Sequence, residues 1–145
     1  IAGQKAWVRW WMENFKGKIF VCSGNHDVDG SSDDAWMRTP NIYADGDIKT
    51  IEGIKFGCVP YMCTDILDFA ECDVLLAHVP PAHTQTAVEC GRDFGDKELY
   101  RALKYGLMKA KIILCGHVHD PLSRVDKIGN CKIYNSSLGF NIIEI

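Results

Sequence analysis

Residues 111–120 read Lys-Ile-Ile-Leu-Cys-Gly-His-Val-His-Asp, an apolar run of strand length that stops at a glycine and hands over to two histidines. Two more short apolar runs end in a histidine. Residues 18–27 read Lys-Ile-Phe-Val-Cys-Ser-Gly-Asn-His-Asp, and residues 73–81 read Asp-Val-Leu-Leu-Ala-His-Val-Pro-Pro. Short, nearly continuous apolar runs predict strands covered on both faces, over Lys18–Ser23, Asp73–Ala77 and Lys111–Cys115. In open α/β sheets ligands bind beyond the carboxyl ends of the strands, and four of the five histidines fall at such ends. With these strands parallel and adjacent, Asn25, His26, His78, His117 and His119 converge on one rim.

The rest of the chain supplies covering elements. Ala2 to Phe15 predicts an amphipathic helix whose stripe of Trp7, Trp10, Trp11 and Phe15 faces the core, with Gly17 at its stop. Ile42 to Pro60 predicts a strand pair turning at Asp45-Gly46-Asp47 and at Glu52-Gly53. Ala82–Gly95 is polar and reads as a surface loop with His83 facing solvent. Asp96 is placed to cap a helix through about Leu107, with Leu99, Leu103 and Leu107 on one face. Lys132–Asn135 and Phe140–Ile145 read as two closing strands. This order of elements predicts an α/β fold with a mixed sheet.

Composition narrows the function. A chain of 145 residues fits one domain, and 47% hydrophobic with 24% charged residues excludes disorder and low complexity. A net charge of -3 leaves no cationic excess to hold a polyphosphate backbone, so there is no strong nucleic-acid signal. No apolar run approaches the roughly 20 residues that span a bilayer, so no membrane partner is expected. Seven cysteines, an odd number without a C-x-x-C pair, predict reduced structural thiols in a cytoplasmic, reducing setting.

Imidazole and amide oxygen suit borderline divalent ions such as Mn, Fe, Zn and Ni. His117 and His119 point the same way along an extended segment, or serve two adjacent metals if the loop curls. Gly116 before them permits a sharp turn or a close approach. Asp27 can orient the His26 ring or keep it protonated as an acid. Cys22 and Cys115 lie near the rim, but their places inside strands favour packing over a Cys/His zinc site.

Taken together, Gly24-Asn25-His26-Asp27, His78 after its apolar strand, and Gly116-His117-Val118-His119 resemble the second half of the calcineurin-like metallophosphoesterase signature. The resemblance runs from about Lys18 to the end, and includes the Asn135-Ser136-Ser137 turn. Pro80-Pro81 after His78 resembles a variant common among the family's small phosphodiesterases. It implies a metallophosphoesterase-like α/β/β/α sandwich with mixed sheets and two divalent metal ions (Mn, Fe, Zn or Ni). It further implies that Asn25, His78 and His117 ligate one ion, that His119 ligates the other, and that His26, supported by Asp27, is catalytic at the substrate phosphate. The implied reaction is hydrolysis of a small phosphomonoester or phosphodiester by a two-metal mechanism.

The family signature begins with Asp-x-His and then Gly-Asp. No Asp-x-His occurs, and Gly46-Asp47 follows the Gly24–Asp27 motif in a turn, so Asp47 is not nominated as a ligand. The expectation is therefore a single domain over residues 1–145, incomplete at its N-terminus with the N-terminal strands missing, that holds part of a dinuclear site. The alternative is a non-catalytic scaffold or interaction module that keeps the fold. Asp29–Pro40 and Ala82–Gly95 are the expected substrate-facing loops, with Arg38 and Arg92 their candidate phosphate contacts.

Overall fold

The computed structural model describes residues 2–27 and 40–145. Arg38, and with it nearly all of the expected loop Asp29–Pro40, lies outside the described residues.

The chain folds as a mixed α/β structure. Helix α1 (Ala2–Asn14) is followed by β1 (Ile19–Phe20), β2 (Ile42–Tyr43), β3 (Ile48–Ile51) and β4 (Ile54–Val59). A 3-10 helix (Ile66–Phe69) leads into β5 (Val74–Ala77), then the short strands β6 (Val88–Glu89) and β7 (Arg92–Asp93). Helix α2 (Lys97–Lys104), β8 (Ile112–Cys115), β9 (Val125–Ile128) and β10 (Cys131–Asn135) complete the order. Among the described residues the main sheet has six strands in the order β3-β4-β5-β8-β10-β9. Its inner strands β4, β5, β8 and β10 run parallel, whereas β3 and β9 pair antiparallel at the two edges. The sequence reflects this division: the buried β5 and β8 are apolar throughout, and the edge strands carry Lys49, Asp126 and Lys127.

The core lies on one face of this sheet. Leu75, Ile113 and Ile133 are register partners across β5, β8 and β10, each fully buried. Phe69 of the 3-10 helix and Leu99 and Ala102 of α2 close over them. Burying each such large side chain contributes about 1.5–3 kcal/mol. The neighbouring row on the opposite face, Leu76, Leu114 and Tyr134, is only half-buried.

Five expectations are corrected. The strand expected over Lys18–Ser23 is only two residues long and pairs with β2 in a separate ladder, outside the main sheet. It ends because Ser23 gives its backbone N–H to the Asp45 carboxylate rather than to a neighbouring strand. The tryptophan stripe of α1 is not a core face: Trp7 and Trp10 are 59% and 54% exposed, and Val8 is the buried residue. The rings instead pack edge-on against one another around Trp11. The segment Ala82–Gly95 is only in part a surface loop: His83, Gln85 and residues 90–94 are exposed, but Ala82, Thr84, Thr86 and Ala87 are buried and β6 and β7 form a hairpin within it. Helix α2 stops at Lys104, where the Leu107 N–H bonds back to the Ala102 carbonyl and leaves the Leu107 side chain exposed. No strand forms over residues 140–145, because β8 and β9 already occupy both edges of β10. Strand β9, Val-Asp-Lys-Ile, lacks the continuous apolar run that marks the inner strands.

Among the described residues no helix is long and apolar enough to cross a membrane. The predicted cap of α2 is present: the Asp96 carboxylate accepts the N–H groups of Glu98 and Leu99 at 2.8 and 3.0 Å. Asp96→Ala is expected to lower stability by about 1 kcal/mol, with most of it kept in Asp96→Asn. A urea unfolding midpoint that moves without a change in slope checks this.

Candidate metal centre

Strands β5 and β8 run parallel and end at the same level, so the residues that follow them leave the sheet side by side. The ladder is extended by one more bond, from the Gly116 N–H to the His78 carbonyl at 3.0 Å. Beyond it the chain bends at once. His117 has φ +66°, and the Val118 N–H bonds to the Gly116 carbonyl at 2.7 Å, an i to i+2 closure. A γ-turn of this positive-φ kind is rare and costs about 1–3 kcal/mol in a non-glycine residue. The sharp turn expected at Gly116 therefore falls at His117. A Cβ at Gly116 would meet only ordinary contacts, the nearest being the Ser137 hydroxyl at 3.4 Å.

The turn brings His117 Nδ1 to 3.1 Å from His78 Nε2. From the other side Asn25 Oδ1 lies 2.7 Å from the same His78 nitrogen. Asn25 reaches this position although β1 is not part of the main sheet. Its loop is fixed by the Asp27 carboxylate, which accepts the Gly24 N–H at 2.9 Å, while the Asp27 N–H returns to the Gly24 carbonyl. Gly24 lies against the His78 ring so closely that a Cβ would fall 2.7 Å from two of its atoms. On the other flank the Tyr61 ring meets His78 edge-on at 5.6 Å, and the Tyr61 N–H bonds to the Ser23 hydroxyl.

Electrostatics keeps both rings neutral. Burial pushes the His78 imidazole down to about 4, with the neighbouring His117 adding to the effect, Asp27 opposing it, and His26 and His119 reinforcing it. Burial also lowers His117, followed by the charges of His119 and His26. Neutral imidazoles present lone pairs, the form in which histidine ligates metal. Asn25 Oδ1, His78 Nε2 and His117 Nδ1 thus form a neutral O, N, N donor set that fits one borderline divalent ion. Among the described residues no group of three or more His, Cys, Asp or Glu side chains is arranged to hold an ion. His26 and His119, neighbours in the chain of Asn25 and of His117-Val118, are exposed.

Other expected residues lie elsewhere or serve the fold. Asp47 accepts the Ala44 N–H at 2.7 Å and so closes its own turn. His83 is exposed as expected, with its ring edge-on to Tyr100 and its Nδ1 3.4 Å from an Asp93 carboxylate oxygen. Arg92 is exposed on β7. Burial raises the Cys22 thiol and pushes Cys115 up to about 12, so neither offers a thiolate at neutral pH. All seven cysteines are free. Tyr61, Ser23 and Asp45 escaped the sequence reading, because nothing local marks a tyrosine or serine as a histidine's neighbour.

A family model described as calcineurin-like phosphoesterase matches residues 3–121. The match begins inside α1, earlier than the motifs alone indicated, and stops before the Asn135-Ser136-Ser137 turn. No curated protein matches the chain.

Two outcomes follow from this geometry. Gly24→Ala must displace the His78 ring, and is expected to weaken Mn or Zn binding on the order of tenfold or more in calorimetric titration. In metal-free protein His78 takes up a proton near pH 6.5 when unfolded but only near pH 4 when folded. Stability is therefore unaffected above about pH 6.5 and falls as pH drops from there towards 4. Thermal melts across that window should show a shallower fall in His78→Gln.

Proposed function

The chain belongs to the calcineurin-like phosphoesterase family, and on that footing we propose that it takes part in metal-dependent hydrolysis of small phosphomonoesters or phosphodiesters. The observation that carries this reading is the meeting of Asn25, His78 and His117 within 2.7 and 3.1 Å at the carboxyl ends of the strands. These three residues would hold one divalent ion of the Mn, Fe, Zn or Ni group, and His119 would serve a second. When bound, such ions polarise phosphate oxygens and make water a nucleophile at neutral pH.

The chain's own residues have separable tasks. His78 and His117, held neutral, orient their lone pairs without competing for protons. His26 stands exposed next to Asn25, where an imidazole N–H can protonate the leaving oxygen of an ester. Asp27 holds this loop through Gly24, which keeps Asn25 and His26 at the rim. Three uncharged donors leave the positive charge of an ion uncompensated, so affinity from these residues alone is weak. The acidic chain and the exposed rim favour a small phosphate ester over nucleic acid or membrane. Seven free thiols accord with a reducing, cytoplasmic location.

A second reading, a non-catalytic module that retains the fold, draws on the shortness of the donor set among the described residues. Elemental mass spectrometry after Mn or Zn loading, paired with assays on p-nitrophenyl phosphate and its bis-ester, separates the two. The enzymatic reading expects up to about two retained ions per chain and chelator-sensitive hydrolysis. In that case His26→Ala lowers kcat roughly 10²–10⁴-fold with KM little changed, and His117→Ala loses the ion. No retained ion and no hydrolysis leaves the scaffold reading standing.

A further inference from the structure

Asn135, the last residue of β10, is wholly buried, an uncommon place for a primary amide. It occupies the position in β10 that continues the inward row of Cys131 and Ile133. Its Nδ2 donates to the Thr86 and Val118 carbonyls, both at 3.0 Å, and its Oδ1 accepts the Ser137 N–H at 2.9 Å. Both amide protons are therefore used, and each goes to a different loop.

The first loop descends from β5. The Thr84 hydroxyl donates its one proton to the Pro81 carbonyl at 2.8 Å, so in the 2.7 Å contact between the two threonine hydroxyls Thr86 must be the donor. This buried chain of bonds runs from the proline pair after His78 to Thr86, whose carbonyl Asn135 holds. The second loop is the γ-turn of β8, where Val118 follows the strained His117. Val118 is held at three points, by its N–H on the Gly116 carbonyl, by its own carbonyl on Asn135 and by its buried side chain, which together oppose a return of His117 to extended backbone. In an extended segment the His117 ring would leave its place 3.1 Å from His78 Nε2.

We propose that Asn135 is a positioning residue for the candidate metal centre, a buried amide that locks the His117 turn to the loop leaving His78 and so sets the spacing of the two imidazoles. Its importance for metal binding rests on the function proposed above, whereas its hold on the imidazoles does not. The geometry demands this residue type. Asn135→Asp would set a carboxylate against two buried carbonyls, and Asn135→Leu, similar in size, would leave both carbonyls and the Ser137 N–H without partners.

The test compares wild type, Asn135→Leu and Ile133→Ala. The last is a buried change in the same strand that touches none of these bonds and serves as the destabilised control. Nitrogen-15 spectra of the imidazoles in metal-free protein read whether the His117–His78 bond persists, and Co²⁺ titration reads the site by affinity and visible absorption. The expected result is fixed tautomers in wild type and Ile133→Ala, averaged ones in Asn135→Leu, and a roughly tenfold or greater loss of Co²⁺ affinity in Asn135→Leu alone. Fixed tautomers in folded Asn135→Leu overturn the proposal, as does equal loss in Ile133→Ala. If Asn135→Leu does not fold, Asn135→Ser, which admits water to the two carbonyls, is read by the same criteria. Should wild type bind no Co²⁺, the functional reading fails, and the imidazole spectra still decide the role of Asn135.

Discussion

The parallel pairing of β5 with β8 is the constraint on which the rest of the rim depends. Its register, Leu75 against Ile113 and Leu76 against Leu114, brings both strands to an end together. The bond from Gly116 N–H to the His78 carbonyl then carries the alignment one step past the strands. Parallel strands are stable here because Leu75, Ile113 and Ile133 form a dry row beneath α2 and the 3-10 helix. A slip of one residue would turn that row to the opposite face and separate the two imidazoles. Core packing and site geometry therefore share one register.

Around that frame the rim is built from groups that do not compete for charge. Burial makes His78 and His117 poor bases, so they meet at 3.1 Å as neutral rings rather than as repelling cations. Three carboxylates around the Asn25 loop are turned to backbone: Asp27 to Gly24, Asp45 to Ser23, Asp47 to Ala44. Each satisfies an N–H that no strand partner takes, and each fixes a loop. The strain at His117 sits beside Val118, whose N–H is bonded to Gly116 and whose carbonyl is bonded to Asn135, which is how a native structure keeps a costly backbone conformation.

Much of this was legible in the chain because it rests on local chemistry. Continuous apolar runs before His78 and His117 marked inner parallel strands, and Asp96 marked a helix start. Glu52-Gly53 marked a two-residue turn, whose φ values of +49° and +80° match the type that twists with its strands. The parts that were misread rest on distant partners. Trp7, Trp10 and Phe15 have the spacing of a buried face, yet nothing local states whether a surface lies opposite them. Thr84 and Thr86 look like loop residues until Asn135, some fifty positions later, supplies the bond that buries their segment.

The sequence by itself determined which residues could do chemistry: an amide, four histidines and their glycines at the ends of apolar runs, because strand-forming patterns and turn residues act over a few positions. Only the tertiary structure decided their arrangement. It showed that Asn25 reaches His78 from outside the main sheet, that the sharp turn sits at His117 rather than Gly116, and that Asn135 holds two loops at once. Those outcomes depend on hydrogen bonds and close approaches between segments remote in the chain, and such contacts leave no periodic trace in the order of the residues.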